Sequence, residues 1–247
     1  MSKRRLSKTQ KNRQNREKDY LVNTKFAMKQ IQPITENQDK LFDLYEDNKN
    51  ILAIGSAGTG KTYISLYLAL KDVLAKNEYK EVIIVRSSVQ SREQGHLRGG
   101  PTEKMAEFEQ PYEDITNDLF ERGDSYRILK EKKMIRFMST SFIRGLTFDD
   151  AIILVDECQN MNAGELRTIM TRVGENSKII FCGDTRQDDL TSSRNKKDVS
   201  GLRYFIRVID RMSSNCFGIV KFDVDDIVRS GIVREFIIAE EELDAVA

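Results

Sequence analysis

Cysteine and histidine are scarce in this 247-residue chain, which has three cysteines, Cys158, Cys182 and Cys216, and one histidine, His96. The cysteine count is odd and no two stand as C-x-x-C, which argues against a disulfide framework and for reduced thiols in a reducing compartment. Cys158 and Cys182 close apolar runs and read as small core residues. One histidine argues against a His-based metal centre or a Ser-His-Asp triad. No apolar run approaches the ~20 residues that span a bilayer. The basic N-terminus is not followed by the apolar stretch of a secretory signal. The expectation is a soluble, cytoplasmic protein with no membrane partner.

An excess of one charge sign is also missing, with 40 Lys and Arg against 39 Asp and Glu. The distribution is nevertheless uneven. The first thirty residues hold ten basic side chains and two acidic ones, so the remainder is net acidic. Residues 1–32 read as a basic flexible arm, residues 33–240 as one folded domain and residues 241–247 as an acidic tail. A polar basic segment cannot bury enough surface to offset its ordering entropy. It fits a polyanion partner and equally a solubilising role. It lacks aromatics before Tyr20, so base stacking by the arm is not indicated.

Five short apolar runs, at 51–54, 82–85, 135–138, 151–155 and 178–182, are rich in β-branched residues and read as strands buried on both faces. Helical patterns at 63–76, 104–120 and 163–173 alternate with them. A helix at 202–211 and a strand at 218–222 follow. Leu41, Leu44 and Tyr45 have helical spacing after a cap at Thr35 or Asn37. Alternating strand and helix predict an α/β fold with a mostly parallel sheet flanked by helices.

The strand at 51–54 runs into Gly55-Ser56-Ala57-Gly58-Thr59-Gly60-Lys61-Thr62, and a helix follows. This is G-x-x-x-x-G-K-[ST] in its proper context. The glycines let successive N–H groups point into one concavity, and the helix N-terminus adds partial positive charge. Lys61 suits the β- and γ-phosphates of ATP, and the Thr62 hydroxyl suits Mg²⁺.

The strand at 151–155 ends abruptly in Asp156 and Glu157. Asp156 reads as a Mg²⁺ ligand, often through water, and Glu157 as the general base for the attacking water. The strand at 178–182 ends in Gly183-Asp184-Thr185-Arg186-Gln187, where Gln187 can sense the γ-phosphate. Parallel sheets bind ligands at these carboxyl ends. Arg86, Ser87, Ser88, Arg92 and Arg98 follow the second strand, and a resemblance to motors that grip a polynucleotide backbone there implies that they are the nucleic-acid contacts.

Gln38, AGTGKT at 57–62, DECQN at 156–160 and GDTRQ at 183–187 resemble the ordered motifs of superfamily 1 helicases. The sequence is closer still to the PhoH-like, phosphate-starvation-inducible ATPases, some of which are carried by phages. The shared stretches are Val85-Arg86, EQGHLRGGPTEKM at 93–105, Pro111-Tyr112, FIRGLT at 142–147, TRVG at 171–174, Ser200-Gly201-Leu202 and DDIVRS at 225–230. Two stretches depart from that family. Arg86-Ser87 stands where it usually has Arg-Pro, and residues 95–100 replace its Gly-Phe-Leu-Pro-Gly. Both fall in the region that would meet a polynucleotide or a neighbouring subunit.

The resemblance implies a single RecA-like core, ATP hydrolysis and action on single-stranded RNA or DNA, with Gln38 reading the adenine edge. Helicases of this kind place ATP between two cores, and the second core supplies an arginine. One core implies that the arginine comes from another copy in a homo-oligomeric ring, such as a hexamer. Arg229 is the first candidate, followed by Arg144 and Arg172. Two other readings stay open: an ATP-gated assembly protein without unwinding activity, and a small-molecule kinase. Asp156, Glu157 and Gln187 favour water over an alcohol acceptor, which argues against the kinase.

Overall fold

The computed structural model describes residues 26–75, 78–87, 101–184 and 200–244. Each short apolar run forms a strand: β1 (Asn50–Gly55), β2 (Glu81–Arg86), β3 (Ile135–Ser139), β4 (Ala151–Asp156), β5 (Lys178–Gly183) and β6 (Phe217–Phe222). They make one six-stranded sheet in the order β3-β2-β4-β5-β1-β6, and every neighbouring pair is parallel.

The four central strands, β2, β4, β5 and β1, are apolar on both faces because helices cover both faces, whereas the edge strands β3 and β6 expose Arg136 and Lys221. Successive residues of a strand point to opposite sides. Ile51, Ala53, Val82, Ile84, Ile152, Leu154 and Ile180 enter one core. Leu52, Ile54, Ile83, Val85, Ile153, Val155, Ile179 and Phe181 enter the other. The first core is closed by α1 (Glu36–Glu46), α2 (Lys61–Ala75), α3 (Pro101–Leu119) and α4 (Ser125–Glu131). The second is closed by α5 (Ala163–Met170) and α6 (Leu202–Ile209). Thr35 caps α1, accepting from the Gln38 N–H at 3.3 Å. Asn162 and Glu165 form a reciprocal capping box at the start of α5.

A buried polar cluster fastens α1 to the rest. The Tyr45 hydroxyl donates to Asp72 at 3.0 Å and to the Leu68 carbonyl at 3.2 Å, both on α2. The Lys178 ammonium donates to the Tyr45 carbonyl at 2.9 Å and lies 3.8 Å from the centre of its ring.

Some elements differ from the sequence reading. Helix α4 was not foreseen, nor was α7 (Gly231–Asp244), which runs through position 240. α7 packs beside the turn Val224–Asp226, where Arg234 bonds Asp225 at 3.0 Å, and leaves Ile232 and Phe236 exposed. Residues 26–32, which composition assigns to the arm, lie against the core. Phe26 is buried on Phe120 with ring centres 4.4 Å apart, and Lys29 bonds Asp118 at 2.6 Å. Lys25 and Lys29 mask an apolar spacing of Phe26, Met28 and Ile31 that packs. Among the described residues, no helix is long and apolar enough to cross a membrane.

Candidate nucleotide site

The ends of β1, β4 and β5 meet at one cavity of about 810 Å³. That lies in the range of about 300–1,000 Å³ typical of small-molecule sites. Its floor is the loop from β1 to α2. Gly55, Gly58 and Gly60 adopt φ of 135°, 76° and 83°, a region that L side chains avoid. At Gly55 a Cβ would also fall 1.8 Å from the Phe222 carbonyl oxygen, so β6 leaves no room for a side chain there.

The Lys61 ammonium lies across this loop. It donates to the carbonyls of Gly55 at 2.7 Å and Ser56 at 2.6 Å, and to the Thr59 hydroxyl at 3.3 Å. Burial lowers its pKa, opposed by the Cys182 thiol and by Asp184, Asp156 and Glu157.

Thr62 and Asp156 come together as the sequence predicts, with the Thr62 hydroxyl donating to Asp156 Oδ1 at 2.8 Å. The other oxygen, Oδ2, accepts from the Tyr112 hydroxyl at 2.8 Å. Tyr112 is fully buried on α3, and burial, then Asp156, pushes its phenol pKa well up, so it stays a donor. A hydroxyl and a carboxylate side by side fit Mg²⁺, which prefers oxygen ligands and keeps several waters. Among the described residues, no cluster of three or more His, Cys, Asp or Glu side chains forms a protein cage for a metal.

Glu157 sits at φ 53°, a left-handed conformation uncommon for a residue with a side chain. Gln159 clamps it, donating to Glu157 Oε2 at 2.5 Å while accepting from the Asp184 N–H at 2.9 Å. Burial raises the Glu157 pKa, and neighbouring Asp156 adds to the rise. Arg86, the Gln159 bond and Lys61 pull it down. Arg86 pairs in register with Asp156 across β2 and β4, and its guanidinium lies 5.3 Å from the centre of the Phe108 ring. Arg86 is therefore beside the acids. Ser87, next along, donates to Glu165 at 3.3 Å.

Gln38 lines the cavity with its side chain engaged on both ends. It accepts from the Ile34 N–H at 2.8 Å and donates to the Thr59 carbonyl at 3.1 Å. Arg229 lines the cavity of its own chain, its Cγ 2.8 Å from where a Cβ on Gly58 would lie. The preceding Val228 N–H donates to the Gly58 carbonyl at 3.1 Å. Arg144 and Arg172 do not reach this cavity: Arg144 lines a second one, and Arg172 donates to the Leu146 carbonyl at 3.2 Å. Ser88, Arg92, Arg98 and Gln187 lie outside the described residues.

Three features were missed from the sequence. Tyr112 and Gln159 were read only as parts of motifs, and nothing in their spacing announces a bond to Asp156 or Glu157. Ile31 and Ile34 add an apolar edge beside Gln38. The signal for these was the apolar pair around Pro33.

The family model for "PhoH-like protein" matches residues 30–241. A PhoH-like protein of Mycobacterium leprae is 30% identical over 217 residues, covering 87% of this chain and 60% of that protein. A PhoH-like protein of Bacillus subtilis is 30% identical over 215 residues, covering 87% of this chain and 65% of that one. Protein PhoH of Escherichia coli is 31% identical over 191 residues, covering 76% of this chain and 52% of that one. The chain thus spans about half to two thirds of the length of these relatives. Among solved structures, the large terminase of a thermophilic bacteriophage, in complex with ADP, superposes with a TM-score of 0.50 at 14% identity, covering 83% of this chain and 49% of that one. At this identity the likeness shows the fold, a RecA-like P-loop ATPase core. The matched span holds the phosphate loop, the acidic strand end and the segment carrying Arg229, and so the chain belongs to the PhoH-like family.

Proposed function

We propose that the chain is a Mg²⁺-dependent ATPase acting on single-stranded nucleic acid. The observation that carries this reading is the convergence of Lys61, Thr62, Asp156, Glu157 and Arg229 on one cavity. Lys61 would exchange its loop carbonyls for the β- and γ-phosphates. Thr62 and Asp156 would hold Mg²⁺, which supplies charge neutralisation to the phosphates. Glu157 would take the proton of the attacking water, and its raised pKa makes it a better base than an exposed carboxylate. Gln187 is assigned the γ-phosphate contact by its place in the motif after Gly183. Gln38 would give up the Ile34 N–H and the Thr59 carbonyl to meet adenine.

Arg229 already lies on its own loop, so it is proposed to act on the nucleotide of its own chain. A ring is then not needed to complete catalysis. A nucleic-acid substrate is supported by the half-buried Arg86 at the end of β2, whereas Ser87 beside it is buried and bonded to Glu165.

A second reading, a nucleotide-gated assembly protein, is favoured by the bond from Val228 to Gly58. It ties the loop to the segment that leads into α7, whose Ile232 and Phe236 are exposed. ATP hydrolysis measured with and without single-stranded RNA and DNA, with Glu157→Gln as control, separates the two. Stimulation by polymer supports the first, and slow turnover indifferent to polymer supports the second. Normal turnover in Glu157→Gln would overturn the base assignment.

A further inference from the structure

Helix α7 leaves its apolar side chains in solvent. Ile232 is 78% exposed, Phe236 65% and Leu243 73%. With Ala239 they recur at intervals of four, three and four, which lines them up as one stripe along a helix. Acidic side chains flank the stripe. At about 100° per residue, Glu235 falls on one side of it and Glu240 on the other, and both are exposed. The helix's one basic residue, Arg234, falls on the opposite face, where Asp225 takes it up at 3.0 Å. The stripe is therefore apolar with acidic margins.

A surface of complementary character lies on the other side of the sheet. An apolar groove of about 610 Å³ runs between α5 and α6, lined by Leu166, Met170, Tyr204, Val208 and Met212. Tyr204, Val208 and Met212 stand four residues apart along α6 and its last turn, and all three are exposed. A second ridge runs beside them, made of Arg203, Arg207 and Arg211, also four apart and exposed. Arg167 lines the groove from α5. Among the described residues, none of these four guanidinium groups makes a hydrogen bond or ion pair. A contiguous apolar patch rimmed by charge marks an interaction surface. Here the rim is basic on both banks, and it calls for an apolar partner with acidic margins.

α7 has that chemistry, but not within its own chain. It packs beside the turn Val224–Asp226, which Asn37 of α1 bonds through Asp226 at 2.8 Å. α1 closes the first core, whereas α5 and α6 close the second, on the opposite face of the sheet. We infer that α7 of one copy docks in the α5–α6 groove of another. Ile232, Phe236 and Leu243 pack against Tyr204, Val208 and Met212, and Glu235 and Glu240 meet the arginines on the two banks. This is a helix laid in a groove, and because its two surfaces differ the contact is head-to-tail. It goes beyond the ATPase reading and does not depend on it, since every copy keeps its own nucleotide site whole.

The test is sedimentation equilibrium of the full chain over a concentration series, at several salt concentrations. The parent chain should self-associate, and less so as sodium chloride screens the charges. Phe236→Glu removes the helix surface and Val208→Glu the groove. Each should weaken association about thirty-fold or more, the scale of a central anchor residue. Both residues are exposed, so ADP binding and melting temperature should match the parent chain, which separates a lost contact from a lost fold. Each variant keeps the surface that the other has lost. Mixed in equal amounts, the two should therefore pair as a dimer and go no further. A parent chain that binds ADP and stays monomeric would overturn the inference and leave the ATPase reading standing. Association unchanged in Val208→Glu but lost in Phe236→Glu would mean that α7 pairs with α7, and the groove would be the wrong surface. Association indifferent to salt would overturn the charge pairing, and with it the choice of α7 as occupant.

Discussion

Both oxygens of Asp156 accept hydrogen bonds, one from Thr62 and one from Tyr112. Groups that hold a metal ligand from behind commonly change metal affinity by about 10–100-fold when removed. Tyr112→Phe keeps the ring and deletes the hydroxyl. The Mg²⁺ concentration needed for tight binding of a fluorescent ADP analogue should rise about ten-fold or more, with the melting temperature little changed. An unaltered Mg²⁺ requirement would reduce Tyr112 to a packing residue. Glu157 offers a pH test. Its carboxyl is raised by burial and by Asp156, and only the ionised form accepts a proton. Turnover should therefore fall, as pH is lowered, through a value above the usual carboxylate range. Arg86 pulls that value down, so Arg86→Gln should move the acid limb to higher pH. A limb that stays put in the pH–rate profile of Arg86→Gln would sink this account. Lys61, Thr62, Asp156 and Glu157 were legible in the sequence because each chemistry demands a residue type at a fixed offset from an apolar run. Tyr112 and Gln159 were not, since their roles depend on which helix face and which strand end meet in space.

Strands proved the most readable elements. A strand buried on both faces must be apolar throughout, and polar residues mark its ends within a position or two. Helix α4 is seven residues long, too short to display a period. α7 carries Ile232, Val233 and Phe236 at helical spacing, yet no element was assigned there, and its acidic end from 241 was read as a tail. Residues 26–32 were hidden by the basic composition around them, which reports average hydration and not the few apolar contacts that fasten a segment. Helix α1 is anchored through Tyr45, Asp72 and Lys178. Deleting the hydroxyl in Tyr45→Phe removes a buried bond to a carboxylate. Unfolding in urea should register a loss of about 1–3 kcal/mol, or several degrees in melting temperature at about 2–4 °C per kcal/mol for a domain of this size. Unchanged stability would mean that aromatic packing alone holds α1.

At the scale of the whole molecule, Arg229 reaches the loop from the far end of the chain. If it serves its own nucleotide, turnover per chain should not depend on protein concentration. Mixing inactive Arg229→Ala with inactive Lys61→Ala should then recover no activity. Recovery of a substantial share of the parent rate would instead mean that the arginine crosses between copies. Sequence alone could not choose, because the order of the strands and the return of residues 227–229 over Gly58 are long-range facts. That order bears on biosynthesis as well. β1 is synthesised before both of its sheet neighbours, β5 and β6, with β2, β3 and β4 in between. The Phe222 carbonyl that abuts Gly55 is the last of β6, and the Val228 amide that bonds Gly58 follows it in translation. The growing polypeptide therefore carries an unfinished phosphate loop until β6 and Val228 have been made, and competence for nucleotide follows them.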